Sequence, residues 1–180
     1  LVALKEGHSS IEVESSLLQQ CELGHSVSVN GVCLTVTKKQ GCCCCWFDLV
    51  PETLQRTNLK TLAQDAQVNL ELSLKYGDFV GGHMVQGHVD GVATIISIKK
   101  QENALLVSFG VAQGIEKYLV EKDYVTIDGM SITLVSVAKE SFVVTLIPHT
   151  VQETIAKSYK ENSQVNIEIN IMAKYAEKKQ

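Results

Sequence analysis

The sequence predicts a mostly β protein made of two similar six-stranded antiparallel β-barrels, closed and of Greek-key type, each with a short helix, followed by a C-terminal helix. Three observations predict this fold class. An internal repeat divides the 180 residues into two halves, both halves contain short segments in which polar and apolar residues alternate, and tight-turn dipeptides separate some of these segments. Closure of each sheet would remove exposed strand edges.

The repeat consists of matched motifs in the same order. VNGVCLTV at 29–36 resembles IDGMSITL at 127–134, and VNLEL at 68–72 resembles VNIEI at 165–169. The two prolines of the chain, Pro51 and Pro148, also fall at equivalent points, 97 positions apart. The repeat predicts two units, residues 1–77 and 78–180.

The elements within each half follow from local patterns. Residues 26–29, 33–37 and 68–72 alternate polar and apolar side chains, as half-buried strands do. The dipeptides Asn30-Gly31 and Asp128-Gly129 are typical of tight turns between strands. Helical patterns at 15–21 and 115–120 predict the short helix of each half, and the Ala-, Lys- and Glu-containing stretch 172–179 predicts the last helix.

The first half has no counterpart of the glycine- and histidine-containing strand predicted at 81–91. Its first residues, LVAL, resemble residues 95–98 instead. We therefore expect about a dozen residues, one strand of typical length, to precede Leu1 in the natural protein. We also expect the binding site of the first half to be weaker without them.

Charge and motif content exclude several classes of function. A net charge of −4 and a pI of about 5.7 give no electrostatic reason to expect nucleic acid or an anionic membrane as a partner. No apolar run reaches the roughly 18 residues of a membrane-spanning helix. Phosphate-binding glycine loops, zinc-ligand spacings and the serine elbow of hydrolases are absent from the sequence.

Four of the six cysteines are consecutive, at positions 42–45. Successive side chains of an extended chain point to opposite faces, so these four cannot all ligate one zinc ion. We expect no signal peptide, and the run predicts a reduced, cytoplasmic protein in which these side chains pack as small apolar groups. A redox or metal-linked role is the alternative.

Two histidines and two small polar residues are the first candidates for chemistry. His83 and His88 lie five apart on a glycine-flanked extended segment, which puts them on opposite faces unless a bulge intervenes. Each either transfers protons near neutral pH or satisfies a backbone group. Cys33 and Ser131 occupy equivalent positions just after the turns, where each either contacts a ligand or packs in its strand.

Each half also contains a strand that stops at a proline, and such an end frees backbone groups that a planar heterocycle can use. Thr35 and Thr133 are predicted to share a face with Cys33 and Ser131. Thr57 and Thr154 are predicted to begin helical turns.

Five motifs together resemble the riboflavin synthases of the alpha-chain type, over essentially the whole chain. They are VNGVCLTV at 29–36, PETL at 51–54, GGHMVQGHVDG at 81–91, IDGMSIT at 127–133 and IPHT at 147–150. The resemblance implies a cytoplasmic homotrimer of two-barrel subunits without metal or organic cofactor. It also implies the dismutation of two 6,7-dimethyl-8-ribityllumazine molecules by transfer of a four-carbon unit, which yields riboflavin and 5-amino-6-ribitylamino-uracil.

The resemblance implies one lumazine in each barrel, a working site between the first barrel of one subunit and the second barrel of another, and association with lumazine synthase. The catalytic positions that it implies are His83, His88, Cys33 and Ser131. The substrate-binding positions that it implies are Ser26, Leu34, Thr35, Asp48, Leu49, Val50, Pro51, Glu52, Thr53, Gly87, Val89, Lys122, Ile132, Thr133, Leu146, Ile147, Pro148, His149, Thr150 and Val151. The Met-Phe-Thr-Gly-Ile stretch with which the family opens is missing from the sequence.

Two other functions are consistent with parts of the sequence. A non-catalytic lumazine- or flavin-binding protein, similar to the lumazine protein of luminous bacteria, would be expected to lose the histidine, cysteine and serine positions, which this chain has. A β-barrel interaction module leaves the repeated polar motifs unexplained. The sequence therefore favours the enzyme.

Overall fold

The computed structural model describes residues 2–4 and 10–178, and within these residues twelve β-strands form the main secondary structure. The first half contains β1 (Val2–Leu4), β2 (Ser10–Glu14), β3 (Ser26–Val29), β4 (Val32–Gln40), β5 (Cys44–Asp48) and β6 (Leu70–Leu72). The second half contains β7 (Gly91–Gln101), β8 (Ala104–Gly110), β9 (Tyr124–Ile127), β10 (Met130–Ala138), β11 (Ser141–Leu146) and β12 (Gln164–Ile169). The α-helices are α1 (Pro51–Arg56), α2 (Pro148–Glu153) and α3 (Ile171–Glu177).

The second half forms the closed barrel that the sequence predicts. Its six strands follow the order β10-β11-β8-β7-β12-β9, and antiparallel pairing of β9 with β10 completes the circle. Because side chains alternate across a strand, every second residue of β11 enters the core. Phe142 of β11 stacks on Phe109 of β8, with ring centroids 5.1 Å apart.

The first half is not a closed barrel, and the prediction of a second closed barrel is wrong. Its strands form an open sheet in the order β1-β2-β5-β4-β3-β6. The second half closes where residues 91–94 of β7 pair with residues 164–167 of β12. Among the described strands β6 pairs with β3 alone, and none takes the position that β7 has beside β12 in the second half. The other edge of β6 is therefore unpaired within the described part of the sheet.

The helices predicted within the halves are present as short 3-10 helices, Ser16–Gln20 and Glu116–Tyr118. The first begins after Ser15, whose hydroxyl accepts a hydrogen bond from the amide of Leu17. The predicted C-terminal helix is confirmed as α3. The residue at which it was predicted to end, Lys179, lies outside the described residues, as does Leu1 at the start of the first segment.

The helices α1 and α2 were not predicted, and each begins at one of the two prolines. Proline suits the first turn of a helix because the missing amide has no intrahelical partner there. Thr57 and Thr154 begin the next 3-10 helices, Asn58–Thr61 and Ile155–Ser158, as predicted. Among the described helices, none combines the length and apolar character needed to cross a membrane.

The two predicted tight turns meet where the halves join. Gly31 and Gly129 have φ angles of 76° and 87°, a region that favours glycine. A Cβ atom added at Gly31 would lie 2.6 Å from the backbone nitrogen of Gly129. Glycine is therefore required at this contact both for its conformation and for the close approach of the two backbones.

Two asparagines at equivalent repeat positions hold the halves together reciprocally. Asn69 Nδ2 donates a hydrogen bond to the carbonyl of Asp128, and Asn166 Nδ2 donates one to the carbonyl of Asn30, both at 2.8 Å. The side-chain oxygen of each asparagine accepts a hydrogen bond from a backbone amide of the opposite half. Each half thus completes the hydrogen bonding of the other.

Asp128 is a carboxylate buried completely in this interface. Its oxygens accept hydrogen bonds from the amide of Asn166 at 2.8 Å, from Asn58 Nδ2 at 3.2 Å and from the Tyr159 hydroxyl at 2.7 Å. Burial raises the pKa of Asp128 to about 6, although these hydrogen bonds oppose the shift. At neutral pH the interface therefore holds a buried charge at some cost in stability.

Asp128→Asn is expected to remove a pH dependence of stability. The folded pKa of about 6 exceeds the ordinary value of 3.8, so the stability that protonated Asp128 contributes is full below about pH 4 and is lost as the pH rises through 6. Relative to the wild type, the variant should therefore gain about 2 kcal/mol of unfolding free energy between about pH 4 and pH 7. Urea unfolding across this range measures the difference, with exposed Asp65→Asn as the control. If the difference in unfolding free energy between Asp128→Asn and the wild type did not change with pH, the raised pKa of Asp128 would be contradicted.

Candidate functional site

A groove of about 820 Å³ lies between the open edge of the first-half sheet and the second half. Its lining includes residues 67–74, which contain β6. It also includes residues 79–81, 83 and 85–87, which belong to the connection between the halves. Residues 129–131 and 153–155 of the second half also line it. Small-molecule sites have volumes of roughly 300–1,000 Å³, so the groove is large enough to bind a heterocyclic ligand.

The glycine- and histidine-containing segment crosses from one half to the other and is not the strand that the sequence predicted. Gly82 and Gly87 have φ angles of 82° and 75°, which interrupt an extended ladder. A Cβ at Gly82 would lie 2.2 Å from Ser131 Oγ, and a Cβ at Gly87 would lie 2.7 Å from Cys33 Cβ. Each glycine therefore lets the segment approach one of the two equivalent positions, Cys33 and Ser131.

His83 is held on the outer face of β9 and β10. Its Nδ1 lies 2.7 Å from Ser131 Oγ, and its Nε2 lies 3.2 Å from Thr126 Oγ1. The ring stacks on Tyr124 with centroids 5.3 Å apart. Burial lowers the pKa of His83, and nearby Asp123 opposes this shift only in part. The imidazole is therefore neutral at physiological pH, as a proton acceptor must be.

The equivalent face of the first half is open. Cys33 is exposed on β4 and pairs in register with Ser28 of β3, as Ser131 pairs with Thr126 in the second half. His83 covers the pair in the second half, whereas Ser28 and Cys33 both line the groove. The sequence prediction that Cys33 and Ser131 follow the turns as equivalent residues is correct, but their surroundings differ.

Glu168 anchors the glycine- and histidine-containing segment that crosses from one half to the other. Its side chain is only 4% exposed, and Oε1 accepts a hydrogen bond of 2.7 Å from the amide of Gln86. Burial raises the pKa of Glu168, while the amides of residues 86–88 lower it. The carboxylate thereby fixes the part of the backbone that approaches Cys33.

Glu168→Ala is expected to lower the free energy of unfolding by about 2 kcal/mol, because the amide of Gln86 loses its buried acceptor. Glu168→Gln keeps an acceptor and should recover most of this loss. Glu71→Ala, at the equivalent repeat position but exposed, is the matched control and should change stability by less than about 0.5 kcal/mol. Equal urea midpoints for the two alanine variants would refute the role of Glu168.

The groove brings together five of the predicted site residues: Ser26, Cys33, His83, Gly87 and Ser131. The other predicted residues lie elsewhere, in three environments. Leu34, Leu49, Ile132 and Leu146 are buried in the cores. Thr53, Val89, Pro148, Thr150 and Val151 are partly buried. Thr35, Asp48, Val50, Pro51, Glu52, His88, Lys122, Thr133, Ile147 and His149 are exposed.

Several residues that support the groove without lining it were not among the predicted site residues. Thr126 and Tyr124 hold His83, and Glu168 holds the segment that follows it. The alternation of β9 could have placed Thr126 and Tyr124 on one face, but nothing in the sequence indicated that His83 would cover that face. The Val-Asn-x-Glu pattern, which occurs in both halves, could have identified Glu168 as a candidate.

The described residues contain no cluster of three or more His, Cys, Asp or Glu side chains arranged to hold a metal ion. The side chains that line the groove supply a thiol, hydroxyls, an imidazole, carboxylates and a lysine ammonium group.

A family model described as the lumazine binding domain matches residues 2–73 and 86–170. The riboflavin synthase of Bacillus subtilis (strain 168) is 38% identical over 176 residues, which cover 95% of this chain and 80% of that protein. The riboflavin synthase of Chlamydia pneumoniae is 44% identical over 151 residues, which cover 84% of this chain and 73% of that protein.

Solved structures share the fold. LumP complexed with 6,7-dimethyl-8-(1'-D-ribityl) lumazine has a TM-score of 0.80 to this chain at 23% identity, over 93% of this chain and 91% of that one. LumP complexed with riboflavin has a TM-score of 0.82 at 22% identity, over 94% of this chain and 92% of that one.

Proposed function

The chain belongs to the riboflavin synthase family, which is built from lumazine-binding domains, and from this membership we propose that it catalyses the dismutation of two 6,7-dimethyl-8-ribityllumazine molecules. One molecule gives a four-carbon unit to the other, and the products are riboflavin and 5-amino-6-ribitylamino-uracil. The observation that supports catalysis, beyond binding, is the pair formed by the half-buried His83 imidazole and the Ser131 hydroxyl at the groove.

His83 and Ser131 are proposed to act as an acid–base pair. The reaction needs the removal of a proton from the C7 methyl group of the donor lumazine, whose anion is delocalised into the ring. A neutral imidazole 2.7 Å from Ser131 Oγ is a suitable destination for that proton, and Thr126 at the other ring nitrogen fixes its orientation. His88, which is exposed and does not line the groove, remains a predicted second proton carrier.

Cys33 is proposed to contact lumazine on the uncovered face of the first half. Its exposed thiol, with Ser26 and Ser28 nearby on β3, presents small polar groups to the groove. Holding two lumazines in the reactive orientation is expected to supply about 7–11 kcal/mol of the barrier reduction.

The proposal extends to a homotrimer in which the first half of one subunit faces the second half of another. This arrangement would explain why exposed predicted positions such as Thr35, Thr133 and Ile147 lie outside the groove within one chain. A cytoplasmic location agrees with six free cysteines. Light scattering tests the mass of the assembly, and added lumazine synthase tests the predicted association.

Turnover of 6,7-dimethyl-8-ribityllumazine by the purified full-length protein tests the function. Riboflavin formation, followed by its absorbance, is the expected result, with equal amounts of the uracil product. Tight binding of lumazine without riboflavin formation would overturn the proposal and identify a non-catalytic lumazine carrier, the alternative that the sequence also raises.

A further inference from the structure

The consecutive cysteines separate into two pairs at the turn between β4 and β5. Cys45 is fully buried, and Cys44 Sγ donates a hydrogen bond to Glu12 Oε1 at 3.0 Å. Cys42 is exposed and Cys43 is partly exposed. Packing, which the sequence predicted for the whole run, thus accounts for Cys45 and not for the pair at the surface.

The surface pair has the geometry of an interacting dithiol. The sulfur atoms of Cys42 and Cys43 lie 2.9 Å apart, and Gln19 Nε2 donates to Cys43 Sγ at 3.4 Å. The hydrogen bond between the two sulfurs raises the pKa of Cys42 and lowers the pKa of Cys43, and the Gln19 amide lowers the latter further. Cys43 is therefore the better nucleophile of the two.

We propose that Cys42 and Cys43 form a thiol–disulfide exchange site, in which Cys43 attacks the disulfide of a small thiol and Cys42 resolves the product. The Cys43 thiolate displaces one thiolate of the small disulfide and forms a mixed disulfide. Cys42 then loses its proton to the departing thiolate and attacks Cys43 Sγ, which releases the second small thiol. The chain loses two electrons and two protons, and the small disulfide gains both and becomes two thiols.

The resulting bond would be readily reversible. Consecutive Cα atoms are about 3.8 Å apart, whereas disulfides usually join Cα atoms about 4.4–6.8 Å apart. A disulfide between neighbours is therefore strained, and strained, exposed disulfides are the easily reduced ones. The site is close to the groove, because the carbonyl of Cys43 accepts a 2.9 Å hydrogen bond from the amide of Ser15, a groove-lining residue.

The test is incubation of the reduced full chain with oxidised glutathione, followed by mass spectrometry of the intact chain and of its peptides. The wild type should form a bond between residues 42 and 43 and keep no glutathione there. Cys42→Ser should accumulate glutathione on Cys43. In Cys43→Ser, glutathione should add to Cys42 about tenfold more slowly than it adds to Cys43 in Cys42→Ser. Cys44→Ser, the matched control in the same run, should behave as the wild type.

Three results would overturn the proposal. They are a lasting glutathione adduct on the wild-type pair, equal reactivity of the two single variants, and loss of the bond between 42 and 43 in Cys44→Ser. Adducts on exposed Cys33 occur in a different peptide and are counted separately. Thermal unfolding of each reduced variant checks that the turn still folds.

Discussion

Gly31→Ala is expected to lower the free energy of unfolding by about 4 kcal/mol, a large part of the roughly 5–15 kcal/mol that stabilise a typical domain. Two costs add at this position. Alanine at a φ of 76° is strained by about 1–2 kcal/mol. The new methyl group would also lie 2.6 Å from the backbone nitrogen of Gly129, and backbone cannot turn aside as a flexible side chain does. The two halves would have to separate at the turns to relieve the overlap.

Gly24→Ala is the matched control for this prediction. Gly24 has a similar φ of 84°, but no atom lies within 4 Å of the position that its Cβ would take. This variant should show the conformational cost alone, about 1 kcal/mol. Urea unfolding of both variants measures the difference, and equal losses would mean that the contact between Gly31 and Gly129 contributes nothing.

His83→Ala is expected to reduce kcat for riboflavin formation by about 10²- to 10⁴-fold, the range typical for loss of a positioned acid or base. The variant removes the imidazole that lies 2.7 Å from Ser131 Oγ, and Thr126 at the other ring nitrogen cannot replace it. In the wild type, burial lowers the pKa of His83. The kcat should therefore stay high as the pH falls to the ordinary pKa of histidine, and it should decrease only at lower pH. The variant should lack this acid limb.

His25→Ala serves as the control, because His25 is exposed and its Nδ1 accepts a hydrogen bond from the amide of Glu22 in a turn outside the groove. Its kcat should equal that of the wild type. Fluorescence titration with lumazine should give similar affinities for all three proteins. A His83→Ala enzyme with wild-type kcat would exclude the proposed acid–base pair.

The parts of the fold that depend on neighbours in sequence were predictable. The alternation of β4 placed Cys33 and Thr35 on one exposed face, and both turns occur at the dipeptides that predicted them. The open first sheet was not predicted, because closure depends on whether another strand pairs with the free edge of β6. The alternation within each strand does not determine this. The helices at Pro51 and Pro148 were missed because proline both ends strands and begins helices.

The site was predictable only in part, for a related reason. Equivalence within the repeat identified Cys33 and Ser131. The contact between His83 and Ser131 joins residues 48 positions apart, and two glycines with positive φ place it where no periodic pattern could. Glu168 was missed because the same motif places an exposed residue, Glu71, at the equivalent position of the first half.

The reciprocal hydrogen bonds between the halves constrain how the two copies can diverge. Where the first half has Asn30, the second has Asp128, whose two oxygens are both acceptors and therefore need donors besides the amide of Asn166. Asn58 and Tyr159 supply them, whereas the repeat counterparts of these two donors, Ile155 and Leu62, have no side-chain donor to offer. The three residues Asp128, Asn58 and Tyr159 therefore depend on one another. Replacing one of them by its repeat counterpart should lower the free energy of unfolding more than replacing all three together.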